Sequence, residues 1–163
     1  MKKQVLTIVF AALLVALAQA QTIPQTTLGL RLGGTNGFNT EVSAQFEMGA
    51  LNRLETDLGL RLADRYYGWS LFGTYQWVND LGGEFQWFWG AGAGMGNWSN
   101  YKKYEADNDG GYFLAVAGHI GAEYLPASYP IQIGLDFRPR LGIFNVWGSA
   151  ISLDPALSIR YIF

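Results

Sequence analysis

The sequence predicts an all-β fold: an eight-stranded antiparallel up-and-down barrel that crosses a membrane with its strands and fills its lumen with charge. Three observations lead there. Apolar and polar residues alternate with period two through eight separate segments, the pattern of strands with two unlike faces. The polar face of those segments carries most of the charged residues, while the other face is rich in Leu, Trp and Phe. After residue 20 no apolar run approaches the roughly 20 residues of a membrane-spanning helix. A chain that exposes such a face to lipid without a helix must satisfy its backbone hydrogen bonds in a closed barrel.

The first element is not part of the fold. Lys2 and Lys3 precede an almost wholly apolar stretch, Val5 to Leu17, and Ala18-Gln19-Ala20 is a small-x-small cleavage site. Residues 1–20 therefore read as a secretory signal peptide and 21–163 as the barrel domain. An uncleaved N-terminal anchor is the alternative. The chain has no cysteine, which excludes a lipoprotein anchor, disulfides and thiolate metal sites. A net charge of −2 gives no basic field for nucleic acid.

The eight strands follow in order. Leu28, Leu30 and Leu32 mark the apolar face of the first, and Val42, Ala44, Phe46 and Met48 that of the second. Leu54 to Leu62 forms the third, Trp69 to Trp77 the fourth and Phe85 to Met95 the fifth. Leu114 to Tyr124 forms the sixth, Ile131 to Phe137 the seventh and Leu157 to Phe163 the eighth, whose start the pattern leaves open. An even strand number places both termini on the periplasmic side, with short turns there and longer connections outside. Gly49-Ala50-Leu51, Asn79 to Gly83 and Leu125 to Pro130 fit the short turns. Gly33 to Asn39, Ala63 to Gly68 and the long polar stretch Asn97 to Gly111 fit the outer connections. Aromatics gather at two levels, with Trp77, Trp87, Tyr124, Tyr129, Tyr161 and Phe163 at one and Tyr66, Tyr67, Trp69, Trp98, Tyr101 and Trp147 at the other. Two such girdles mark the headgroup regions of a membrane barrel.

Charge decides which face is inside. Arg31, Glu41, Glu47, Arg53, Glu55, Asp57, Arg61, Glu84, Glu123, Asp136, Arg138, Arg140 and Arg160 share the polar face. A lipid-facing Arg at mid-membrane costs about 2–4 kcal/mol, so these residues point into the lumen. A soluble, lipocalin-like barrel would reverse the faces and set rows of Leu, Trp and Phe in water. Seven acids and six arginines nearly cancel, and an eight-stranded barrel is just wide enough for side chains to fill. The cluster therefore reads as a structural polar core rather than an ion path. In the hairpin of strands two and three, lumen residues on both sides are odd-numbered, so opposed pairs sum to an even number. A three-residue turn, Gly49-Ala50-Leu51, with Gly49 available for positive φ, sets Glu47 opposite Arg53 and predicts an ion pair between them.

No motif specifies chemistry. Gly90, Gly92, Gly94 and Gly96 lie within a strand at period two, where they make room for bulky neighbours rather than cradling a phosphate. His119 is the only histidine; it faces the lumen beside Glu123, and no serine stands at i±2 on its strand. It reads as a structural, hydrogen-bonded histidine. Glu105 to Gly110 resembles the start of a calcium loop but lacks the closing Glu. No cofactor or metal site is expected.

The final strand, Leu157-Ser158-Ile159-Arg160-Tyr161-Ile162-Phe163, resembles the terminal signature of bacterial outer-membrane barrels, and the segment Gly118 to Tyr124 followed by Pro130 to Arg140 resembles the penultimate hairpin of small barrels common in Bacteroidetes. The resemblance, to barrels of the OmpA and OmpX type, implies residence in the cell outer membrane after export through the periplasm. It implies lipid and lipopolysaccharide as surroundings, and the barrel-assembly machinery as a partner reading Tyr161 and Phe163. Fold alone does not specify activity. A non-enzymatic structural or surface-interaction role is the leading expectation. A narrow pore or transporter and a lipid-modifying enzyme remain alternatives, and the oligomeric state stays open.

Overall fold

The computed structural model describes residues 26–34, 39–63, 66–100, 109–144 and 150–163. The signal-peptide reading and most of Glu105 to Gly110 fall outside them, as do the side chains of Arg61, Tyr66, Tyr67 and Trp98 and residues Tyr101 and Trp147.

Ten strand segments make one antiparallel sheet: β1 (Thr26–Gly33), β2 (Asn39–Gly49), β3 (Asn52–Ala63), β4 (Tyr66–Gly82), β5 (Phe85–Asn100), β6 (Asp109–Tyr124), β7 (Ile131–Phe137), β8 (Arg140–Phe144), β9 (Ile151–Ser152) and β10 (Pro155–Ile162). β1 to β6 pair in succession, β6 pairs with both β7 and β8, β9 pairs with β8, and β10 pairs with β7 and with β1, so the sheet closes on itself. β7 with β8, and β9 with β10, are single barrel strands interrupted by proline. The register of β6 is continuous across the first break, from Ile120↔Phe137 to Ala117↔Arg140, and the Gly118 N–H still donates to Pro139 O at 3.0 Å. Across the second break Arg138 N–H donates to Asp154 O at 2.9 Å. Pro139 and Pro155 lack the N–H that the ladder needs, so the strands are interrupted without slipping. The barrel therefore has eight strands, as the alternation predicts.

Several strands outrun their apolar cores. β4 reaches back to Tyr66, β5 runs on to Asn100 and β6 begins at Asp109. Part of what reads as outer connection is thus ladder, because Ser, Asn and Gly still pair backbone to backbone where no lipid face demands apolar side chains. The Leu125 to Pro130 turn has the expected bounds, and the other two turns at this end are tighter than expected. β2 and β3 keep the predicted register, with Glu47 opposite Arg53, but a bulge at Met48 brings Gly49 opposite Asn52 and leaves Ala50-Leu51 as the turn. Gly49 is not among the glycines of positive φ; Gly82 and Gly83, in the next turn of this end, are, at φ 95° and 68°. There Asp80 Oδ1 accepts the Gly82 N–H at 2.6 Å.

The two faces differ as the charges demand. The outward face shows Leu28, Leu30, Leu58, Leu60, Trp89, Leu135, Leu157 and Ile159 at 43–61% exposure. The inward face buries charge and amide at 0–7% exposure, Arg31, Glu55, Gln76 and Arg138 among them. Stacked Trp77 and Trp89, 4.4 Å between centroids, lie on the outward face at the level of the β2–β3 turn. An apolar exterior around a polar interior is the inverse of a soluble domain and fits only an apolar solvent.

Candidate functional site

The lumen divides into two tiers. The first lies at the end holding Thr26, Phe163 and the short turns. Arg53, beginning β3, donates from both terminal nitrogens to Glu123 at 2.8 Å and from Nε to Gln76 at 2.6 Å. Arg160, near the end of β10, donates to Ser43 at 3.0 Å and Ser158 at 2.9 Å, and lies 3.1 Å from Glu55. Amides dilute the charge here. Gln45 donates to Glu55 at 2.6 Å, Gln86 to Glu123 at 2.8 Å and Gln76 to Glu55 at 3.1 Å.

The second tier lies toward the long connections and is made of charges bonded to charges. Arg31 on β1 donates to Asp136 at 2.6 and 3.0 Å, to Glu41 at 2.9 Å and to Asp154 at 3.2 Å. Arg138 donates to Asp57 at 2.8 Å, to Glu41 at 2.7 Å and to Asp154 at 2.8 Å. Arg140 is the loosest member, 3.7 Å from Asp154 and less deeply buried. Each tier rests on one aromatic floor. Arg53 lies 4.8 Å over the Phe88 ring; Arg138 and Arg140 lie 4.7 and 5.4 Å over Phe72. Glycines admit those rings. A Cβ on Gly94 would collide with the Phe72 ring, and one on Gly121 would come within 2.7 Å of Phe88.

His119 sits between the tiers. Its Nδ1 is 3.0 Å from Gln76 Nε2 and 3.2 Å from Thr74 Oγ1. The Gln76 amide is oriented by Arg53 on its oxygen and Glu55 on its nitrogen, so its NH₂ faces the ring. Nδ1 is therefore an acceptor, and the ring proton belongs on Nε2. Nε2 lies 3.1 Å from Asp136 Oδ1, too oblique for a good hydrogen bond. Thr74, His119 and Asp136 thus form a hydroxyl–imidazole–carboxylate row, which sequence spacing missed because Thr74 and Asp136 lie on other strands. Thr74 is 0% exposed, which closes its hydroxyl off from solvent, and Asp136 is bound by Arg31, so the acid does not serve the ring alone.

Of the residues expected in the lumen, Arg31, Glu41, Arg53, Glu55, Asp57, His119, Glu123, Asp136, Arg138 and Arg160 are buried there, Arg140 partly so. Two expectations are corrected. Glu47 is exposed, and its ladder partner Arg53 turns inward to Glu123, so the Glu47–Arg53 ion pair does not form. A carboxylate at the rim keeps its water, whereas Arg53, once buried, needs a buried acid. Glu84 is not lumenal. It lies in the β4–β5 turn, where it accepts from Tyr124 Oη at 2.9 Å and from Ala127 N–H at 2.6 Å. Those two donors, the backbone one foremost, hold its carboxyl below the usual range. Sequence reasoning also missed Asp154, which touches three arginines. Counting back by twos from Ser158 would have put it on the lumen face. Tyr161 and Phe163 lie exposed on the last turn of wall, their rings 5.0 Å apart, and Phe163 N–H donates to Thr26 O at 3.0 Å across the closing seam.

No protein-family model and no curated protein matches the chain. Solved structures do. The fold is similar to neisserial surface protein A, with a TM-score of 0.63 at 13% identity over 85% of this chain and 94% of that one. It is similar to the N-terminal β-barrel domain of Pseudomonas aeruginosa OprF, with a TM-score of 0.64 at 11% identity over 86% of this chain and 100% of that one. It is also similar to Ail, the attachment invasion locus protein of Yersinia pestis, with a TM-score of 0.53 at 11% identity over 85% and 96%. At such identities the likeness concerns architecture, and the chain has the fold of the small eight-stranded barrels found in bacterial outer membranes.

Proposed function

We propose that this chain is an integral outer-membrane protein of structural or surface-interacting role, without enzymatic activity, whose lumen is a solid core. One observation carries the reading: Arg31 and Arg138 together tie carboxylates from β2, β3, β7 and the β9–β10 junction across the interior. Guanidinium groups bonded to several acids in low dielectric do not yield to a passing ion. What varies in such a barrel is its outer edge, so recognition belongs to the connections and to the extended ends of β4, β5 and β6.

The protein should fractionate with the outer membrane and migrate differently on gels before and after heating. Recovery in the soluble periplasm overturns the location. In planar bilayers it should give no discrete conductance steps; regular steps would establish a pore. Replacing His119 by Ala should leave lipid A unchanged by mass spectrometry, and loss of an acyl modification would restore the enzyme reading. Removing Phe163 should impair assembly far more than removing Asn108, in keeping with a terminal strand read by the assembly machinery.

A further inference from the structure

Four buried polar atoms of the terminal tier lack an aligned hydrogen-bond partner: Gln132 Nε2, Gln132 Oε1, Arg160 Nη2 and Glu55 Oε1. Gln132 is 0% exposed and stands directly opposite Arg160 in the β7–β10 ladder. Arg160 Nη2 lies 3.1 Å from Glu55 Oε1, close enough for charge attraction but misaligned for a hydrogen bond. A buried primary amide with neither donor nor acceptor used is costly, and such groups in folded proteins have a reason.

We propose that Gln132, Arg160 and Glu55 form a built site for bound water inside the barrel. The charges select the ligand. An anion would meet the Glu55 carboxylate and a cation the Arg160 guanidinium. The unused atoms comprise two donors and two acceptors, which only a neutral molecule that both gives and takes hydrogen bonds satisfies. Among packed side chains such a molecule must also be very small. Water meets each demand, and a buried water ordinarily makes about three such bonds. The site lies within the lumen and is independent of what the outer edge recognises.

The test uses the ¹⁵N-labelled protein refolded in micelles. Direct water cross-peaks to the Gln132 side-chain amide protons are expected in a rotating-frame experiment, with the sign that separates dipolar contact from proton exchange. Their absence overturns the site. Gln132→Met, similar in shape and unable to bind water, should lose those contacts and lower the urea midpoint of unfolding. An unchanged or raised midpoint overturns it too, since that is the behaviour of an amide that had no partner to lose. Should the variant not fold, the spectrum of the unsubstituted protein decides alone.

Discussion

The two tiers of the lumen bury the same kind of residue and satisfy it differently. In the second tier Arg31 and Arg138 share Glu41 and Asp154 between them, and Asp136 and Asp57 complete the set. In the terminal tier Arg53 and Arg160 share two acids, Glu55 and Glu123, and the remaining bonds go to Gln45, Gln76, Gln86, Ser43 and Ser158. Charge packed on charge leaves each group dependent on several others, whereas amides and hydroxyls act as neutral spacers that tolerate a missing neighbour. The second tier should therefore fail sharply when cut and the terminal tier more gradually.

The largest effect is expected from Arg31→Met. It leaves Glu41, Asp136 and Asp154 to compete for Arg138 and Arg140, and stranding buried acids costs about 3–5 kcal/mol in unfolding free energy. Arg53→Met leaves Glu123 with Gln86 at 2.8 Å and Arg160 at 3.5 Å, so its cost in the same urea titration should be clearly smaller. Equal losses would erase the distinction between the tiers. The pair Arg138→Met with Asp57→Leu should cost less than the sum of the two single changes, because removing both partners strands less charge than removing one. Strict additivity would mean that the 2.8 Å contact carries no coupling.

A smaller effect separates lumen from wall at neighbouring glycines. Gly94→Ala drives a methyl into the Phe72 ring, and overpacking of that kind costs about 1–3 kcal/mol. Gly73→Ala points to open space on the lipid side and should be neutral or stabilising by about 0.4–1 kcal/mol. If both behaved alike, the packing of the aromatic floor would be wrong.

Much of this was legible in the sequence, and the parts that were not share a cause. Period two revealed the strands, their faces and the register of β2 on β3, because one buried face constrains every second residue. It did not reveal which acid each arginine takes. Arg53 passes over its ladder neighbour Glu47 for Glu123 on β6, a choice made by closure of the barrel and the depth of each carboxylate. Asp154 was hidden because Pro155 stands beside it and reads as a turn. Thr74 and His119 meet only through the sheet, two strands apart. Glu84 has the parity of a lumen residue, yet it belongs to a turn, where alternation no longer assigns a face.

Glu84 supplies the smallest prediction and the contrast with the lumen at its plainest. Its carboxylate accepts from the Ala127 N–H and the Tyr124 hydroxyl, tying the β4–β5 turn to the β6–β7 turn. Both donors favour the charged form, so the folded-state pKa lies below the unfolded value of about 4.3. A depressed carboxyl contributes stability that is fully present above the unfolded value. That contribution is lost as pH falls through it toward the folded value, because the unfolded chain takes the proton first. The group is open to water, which competes for both bonds, so the effect on global unfolding should be slight. The local reporter is sharper. The Ala127 amide proton shift should titrate with a midpoint below 4.3, and Glu84→Gln should abolish that titration. A midpoint at or above 4.3 would mean that the two turns are not joined through this carboxylate, leaving the terminal end of the barrel held by its ladder alone.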